Sequence, residues 1–417
     1  MAFKDLKVVV TGMGAISALG SSVEENWINA LAGKSGASPI TRFDPINHRT
    51  KFACEVKNFE PEKYLDKAEI RRSDLYTQYS LYAATEAVYD SGLDLTEMSP
   101  YDIGVIWGSG QGGIQTFETQ IGEYATGDGV PRFSPFFIPK IIVNIAPGMI
   151  AIKHGYMGVN FAAVSACASS NHAIIDAYHY LKAGKAKAFV AGGAEAAITP
   201  SICAGFGSMK ALSIENENCQ GASRPFDETR SGFVMGEGGA AFILEEYEHA
   251  KRRGAKIYAE VVGVGATCDA YHLSSSHPDG RGAARSMSMA MKEAELNEDQ
   301  VDYLNAHATS TSVGDLSEAK AIDRVFGNKG KNLVVGATKS MTGHLFGGAG
   351  ALEGVLSVMA IKHNQLPPTI NTTKIDPQIP KSLRFMGNEV MEKKVNVAMS
   401  NTFGFGGHNS TVIFKAV

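Results

Sequence analysis

The sequence predicts an α/β protein built from two similar halves, on three observations. Short β-branched runs ending in glycine recur along the chain, helix-like stretches separate them, and two of the strand-to-helix crossovers resemble each other. Apolar runs without alternation suit strands covered by helices on both faces. Regular alternation of strand and helix suits parallel or mixed sheets.

In chain order, "KVVVTGMG" at 7–14 is the first strand candidate. The stretch "MAFKDLKVVVTGMG" reads as this strand and its approach, with neither the apolar region nor the small-residue cleavage site expected of a signal peptide. The segment at 40–70 and the loop at 122–140, with "GDGVPRFSP", read as excursions at the surface or at a subunit contact. Between them a helix is expected over 73–91 and a strand over 103–110. The strand "VNFAAVSA" meets a helix at 168–183 that stops at Gly184, ahead of the strand "KAFVAGGAE" at 187–195. "GGAAFILEE" at 238–246 follows, and the basic helix end "HAKRRGAKIY" marks a break near 250–258. In the second half, strands at 259–266, 301–311, 333–340 and 396–407 alternate with helices at 282–295, 315–326 and 349–363. The crossover from "LVVGATK" through a glycine-rich turn resembles the one at Cys167. An internal duplication of fold is therefore expected, over residues 1–255 and 256–417.

Bulk properties narrow the function. A length of 417 residues suggests two or three domain-sized units, and 44% hydrophobic with 20% charged residues is ordinary for a globular chain. A net charge of −4 gives no global attraction for nucleic acid or an anionic membrane. No apolar run reaches the roughly 18 residues of a membrane span. Five scattered cysteines without a CxxC pair argue against a disulfide framework or zinc cage and suit a reducing cytoplasm.

Four positions carry candidate chemistry. Cys167, in "FAAVSACASSNHAII", sits at a strand-to-helix junction, where unpaired N–H groups are expected to lower a thiol pKa. Its small neighbours leave room for a carbonyl. His307 in "NAHATST" and His344 in "TKSMTGHLFGGAG" sit at strand C-termini, where α/β folds bind ligands. Taken singly, each of the three residues is more often structural; together they form a nucleophilic constellation. Lys339 lies in an apolar, glycine-rich stretch and needs a partner, for which Glu353 or Glu318 is available. "SNTFGFGGHNS" at 400–410 holds Phe403 and Phe405 between glycines, so it can present N–H donors or swing an aromatic side chain. Three tempting motifs fail. Ser17 stands where a dinucleotide fingerprint needs its third glycine, and "GSGQGG" at 108–113 lacks the lysine of a phosphate loop. Cys268, His272 and His277 lack a fourth ligand, so no metal is expected.

"SACASSNHAI", "NAHATST", "TKSMTGH" and "SNTFGFGGHN", with "SRPFDETRSGFVMGEGGAAFILEEYEHAKRRGAKIYAE" at 223–260, resemble in order the signatures of the β-ketoacyl-acyl carrier protein synthases, closest to their type II condensing enzymes. The resemblance runs from "VVVTGMG" to the C-terminus. It implies a thiolase-like, five-layered αβαβα fold in a cytoplasmic homodimer. It also implies an acyltransferase of bacterial-type fatty acid synthesis that uses no cofactor of its own, because phosphopantetheine arrives on the acyl carrier protein. The first half would carry the nucleophile Cys167; the second, His307, His344 and Lys339, the last paired with Glu353. Phe405 would gate the acyl pocket and lend a backbone N–H to an oxyanion hole. Thr309 and Thr311 would contact the pantetheine arm, and Gln111 and Phe403 would line the pocket. Lys67, Arg71, Arg72, Arg132 and Lys210 would form a basic rim for the acidic carrier.

The two histidines, and the absence of any cysteine after Cys268, fit decarboxylative condensation rather than a thiolase, which needs a second cysteine as base. A ketosynthase of a polyketide or other secondary pathway would share these residues and is the alternative. The chain departs from the pattern at Ala308 (commonly Gly), Ser312 (commonly Pro), Ala168 (often Ser or Thr) and Phe133 (commonly basic). It departs most consequentially at Gln111, where an apolar residue is expected.

Overall fold

The computed structural model describes residues 6–96 and 98–417; residues 1–5 of the expected N-terminal stretch, and Glu97, lie outside them. In the first half, β1 (Val8–Ser17), helix α1 (Leu75–Ser91) and β2 (Ile103–Gly108) are followed by β3 (Asn160–Ala163), α2 (Ser169–Lys182), β4 (Ala188–Glu195) and β5 (Gly238–Glu246). In the second, β6 (Ala259–Cys268), α3 (Arg281–Glu293), β7 (Tyr303–Asn305) and α4 (Ser312–Val325) precede β8 (Val334–Gly336), α5 (Ala349–His363), β9 (Val397–Gly404) and β10 (His408–Lys415).

The strands hydrogen-bond in the order β8-β7-β9-β10-β6-β1-β5-β4-β2-β3. The two halves repeat one pairing scheme. β1–β5 and β5–β4 are antiparallel while β4–β2 and β2–β3 are parallel. Likewise β6–β10 and β10–β9 are antiparallel while β9–β7 and β7–β8 are parallel. The halves join where Val8–Val10 pair with Ala259–Val261.

Three cores separate five layers. One packs α1 on the outer face of the first-half strands (Tyr79, Ala83, Val105, Trp107), and another packs α3 and α4 on the second-half strands (Met287, Ile322, Leu304, Ile413). The third holds α2 and α5 between the halves, with Ile174 and Leu181 beside Leu352 and Val355 against Phe242 and Phe414. α5 is buried without interruption from Ala349 to Ile361, as an all-round apolar middle-layer helix must be. This is the thiolase-like arrangement the resemblance implied.

Some expectations need correction. The strand expected over 301–311 is only Tyr303–Asn305, because Ala308 and Ser310 take positive φ and bend the chain into a loop. The run at 333–340 leaves the sheet after Gly336 and turns helical at Lys339. Part of 40–70 is core rather than excursion, with Phe52, Ala53 and Cys54 buried. The loop at 122–140 is helical at both ends, in Ile114–Thr126 and Phe137–Ile141. β10, a central strand of its half, was hidden behind the glycine turn of "GFGGHN". Among the described residues, no helix is long and apolar enough to cross a membrane.

Candidate active site

The chain leaves β3 and tightens into a 3-10 turn, Ala166–Ala168, before α2 begins at Ser169. Ala166 adopts φ 51°, a strained value for a residue with a Cβ, which holds Cys167 at the apex. The backbone N–H groups of Phe405 and of Cys167 itself favour the thiolate. Even so, burial pushes the Cys167 thiol up to about 12, against the pull of the Lys339 ammonium and those N–H groups. Desolvation thus outweighs these pulls, the opposite of the lowered pKa expected from the helix N-terminus.

The second half brings its histidines to that sulfur. His344 Nε2 lies 3.0 Å from Cys167 Sγ, and the ring of His307 stands perpendicular to His344 at 5.2 Å between centroids. Both Nδ1 atoms are buried without a hydrogen-bond partner. Burial, reinforced by Lys339, holds both imidazoles well below the usual histidine range, so they are neutral near pH 7. The chain at His344 is fixed by its N–H to the Val234 carbonyl at 2.8 Å. At His307 the backbone is fixed by Glu318, whose carboxylate accepts the N–H groups of His307 and Ala308 at 2.9 and 2.7 Å.

Lys339 and Glu353 settle which carboxylate partners the buried ammonium. They form a direct ion pair with both side chains buried, while Glu318 is engaged with the His307 loop. Lys339 does not line the cavity, and its charge lowers the pKa of both histidines.

Cys167, His307 and His344 share a cavity of about 500 Å³ lined also by Gln111, Thr309, Thr311, Phe403, Phe405 and Lys210. The Thr309 and Thr311 hydroxyls are 3.2 Å apart, and the partly exposed Phe405 lies 6.2 Å from Phe206 across the mouth. Ala308 sits at φ 20°, the edge of the region that favours glycine, which explains why glycine is common there. Of the five basic positions, only Lys210 lines the cavity. Lys67, Arg71 and Arg72 are exposed on a short helix away from it, with the Arg72 guanidinium over the Phe136 ring at 5.7 Å. Arg132 is held by both oxygens of Asp128 at 2.9 Å, and Phe133 packs between Tyr124 and Phe137. Among the described residues, no group of three or more His, Cys, Asp or Glu is arranged to hold a metal ion.

Two supporting residues had no clear signal in the sequence. Glu195, fully buried at the end of β4, accepts N–H groups from Gly110, Gln111 and Gly347 at 2.7, 3.1 and 3.0 Å, tying the pocket loop to the second-half turn. Arg230 donates to the carbonyls of Thr311 and Ser312 at 3.0 and 2.7 Å and so clamps the hydroxyl loop. A lone carboxylate ending an apolar run, and a lone arginine in "FDETRSG", look like surface groups until the fold closes over them.

Residues 5–250 match the beta-ketoacyl synthase N-terminal domain, and residues 258–373 match its C-terminal domain. A 3-oxoacyl-(acyl-carrier-protein) synthase 2 from Synechocystis sp. is 46% identical over 409 residues, 98% of each chain. The ishigamide ketosynthase/chain length factor superposes with a TM-score of 0.92 at 32% identity, covering 99% of this chain and 99% of its own. A type II polyketide ketosynthase, solved with its acyl carrier protein and a bound hexaketide, gives 0.89 at 30% identity, covering 99% of this chain and 100% of its own.

Proposed function

Because this chain belongs to the β-ketoacyl synthase family, we propose that Cys167, His307, His344 and Lys339 divide an elongating condensation between the two halves of the fold. The activity is that of a β-ketoacyl-acyl carrier protein synthase of fatty acid synthesis, an acyltransferase. The observation that carries the assignment of roles is the 3.0 Å approach of His344 Nε2 to Cys167 Sγ in a cavity also lined by His307.

In the first stage Cys167 Sγ attacks the acyl thioester. A carbon–sulfur bond forms to the enzyme, the bond to the carrier thiol breaks, and the thiol proton passes through His344 Nε2 to the departing sulfur. The N–H groups of Cys167 and Phe405 hold the tetrahedral oxyanion. In the second stage a malonyl thioester loses CO2, and the electron pair remains as an enolate whose oxygen accepts from the histidine N–H groups. The enolate carbon then attacks the acyl-Cys167 carbonyl. The new carbon–carbon bond expels the cysteine sulfur, which takes a proton from solvent, and the product is two carbons longer. Neutral histidines suit this role, because decarboxylation needs donors to a developing anion and no base to remove an α-proton.

The proposed partners are an acyl carrier protein, met by Lys210 at the cavity mouth, and a second copy of the chain. The apolar face of Phe117, Ile121, Ile138 and Ile142, and the open edge of β3, suit that second copy. The proposed compartment is the cytoplasm. Intact mass after incubation with acyl-carrier proteins tests the scheme. A single acyl adduct on Cys167, cleared by malonyl-carrier protein, is expected, and no adduct with any donor would sink it.

A further inference from the structure

The cavity carries a polar group that the condensation chemistry does not use. Gln111 lines it, and the side-chain Oε1 of Gln111 is buried with no hydrogen-bond partner. The backbone cannot easily turn that amide away. Gln111 N–H donates to Glu195 Oε1 at 3.1 Å, Gly110 N–H to Glu195 Oε2 at 2.7 Å, and Gly112 N–H to Ser109 Oγ at 3.1 Å. The loop also lies against the nucleophile turn, since a Cβ added at Gly110 would stand 3.8 Å from the Cα of Ala166. Among the described residues, none between 112 and 165 lines the cavity, so Gln111 ends its wall on this side.

A saturated chain that reaches Gln111 covers Oε1 with methylene and leaves a buried acceptor unpaired. A chain with a hydroxyl at that depth donates to Oε1 and gives the amide N–H an acceptor in return. A site that pairs a substrate hydroxyl discriminates far more strongly than one that only fits its shape. We propose that Gln111 is a specificity-determining residue that selects acyl groups hydroxylated along the chain over saturated groups of the same length. The proposal rests on Cys167 as the acyl acceptor.

The test uses acyl-pantetheine thioesters of increasing length, each saturated or hydroxylated at successive carbons, with the rate of Cys167 adduct formation read by intact mass. In the wild-type protein, beyond the length that reaches Gln111, one hydroxylated isomer is expected to acylate faster than its saturated counterpart by on the order of tenfold or more. Gln111→Met, similar in size but without an acceptor amide, is expected to reverse that order. Equal wild-type rates for saturated and hydroxylated chains at every length would overturn the proposal, as would an unchanged preference in Gln111→Met. If the variant does not fold, the wild-type comparison alone decides. Failure of even the shortest saturated donor to acylate wild-type Cys167 would instead overturn the reading of the nucleophile, and this proposal with it.

Discussion

The two crossovers of this molecule share a path and differ in what stands at the apex. From β3 the chain turns through Ala166–Cys167–Ala168 into α2; from β8 it arrives at Phe346–Gly347–Gly348 and enters α5. Ala166 and Phe346 open the two turns with similar strain, at φ 51° and 47°. Yet the first apex faces the cavity with a thiol while the second has no side chain. Gly347 has no room for one, since a Cβ there would lie 2.4 Å from the Gly110 nitrogen and 2.7 Å from Glu195 Oε2. His307, Lys339 and His344 of the second half stand beside the turn rather than on it. On the proposed mechanism, one copy of the turn presents the nucleophile, while the other packs behind it and the residues beside it bring the donors.

The largest effects should separate the halves. Cys167→Ala is expected to abolish the acyl adduct and lower condensation by several orders of magnitude. His307→Ala should lower decarboxylation of malonyl-carrier protein by about 10²–10³-fold, the usual cost of one donor to a developing oxyanion, while Cys167 still accepts an acyl group. Measuring CO2 release and adduct formation on both variants checks the division; equal loss of both activities in His307→Ala would break it.

Next in size is the ion pair. Glu353→Ala leaves the Lys339 ammonium buried and unpaired, which should cost about 3–5 kcal/mol in denaturant unfolding. Replacing both, as Lys339→Met with Glu353→Leu, should recover most of that stability, because the uncompensated charge is gone. Condensation should stay impaired in the double variant, since the field on His307 and His344 is lost with the lysine. Full activity there would mean that the pair serves only the core.

A smaller effect tests the apex itself. Gly347→Ala should destabilise by about 1–3 kcal/mol through overpacking, whereas Cys167→Ala, at the equivalent point of the other turn, should unfold close to wild type. Thermal unfolding of the two variants reads the asymmetry directly.

Much of this site was legible in the sequence because short-range signals carry it. Glycine-punctuated apolar runs located β1, β2, β4, β5 and β6, and the signature stretches put Cys167, His307, Lys339 and His344 in one place. What stayed hidden depends on tertiary closure. The residues alone left Glu353 and Glu318 open as partners of Lys339; the resemblance pointed to Glu353, and the structure pairs the two while Glu318 holds the His307 loop. Glu195 and Arg230 act on backbone groups far from them in sequence, so their neighbours in the chain give no hint. Arg132, expected on the basic rim, is held by Asp128 four residues before it. The most instructive miss concerns the thiol, where a local rule about helix N-termini lost to burial, a property of the whole fold.

That miss gives the last prediction, the smallest per step. A cysteine with the usual pKa near 8.5 reaches its full thiolate fraction by about pH 9–10, so its alkylation rate levels off there. Burial raises the Cys167 thiol to about 12. Its thiolate fraction is therefore a small minority throughout pH 7–10 and grows about tenfold with each unit. His344, held well below its usual range by burial, stays neutral over this interval and adds no inflection of its own near pH 6.5. Iodoacetamide labelling of Cys167, followed by peptide mapping to separate it from the exposed Cys268, should rise log-linearly with pH and show no plateau before pH 10. A plateau near pH 8 would return the advantage to the helix N-terminus. It would also make the first-half turn a preformed thiolate rather than a thiol that releases its proton to His344 during attack.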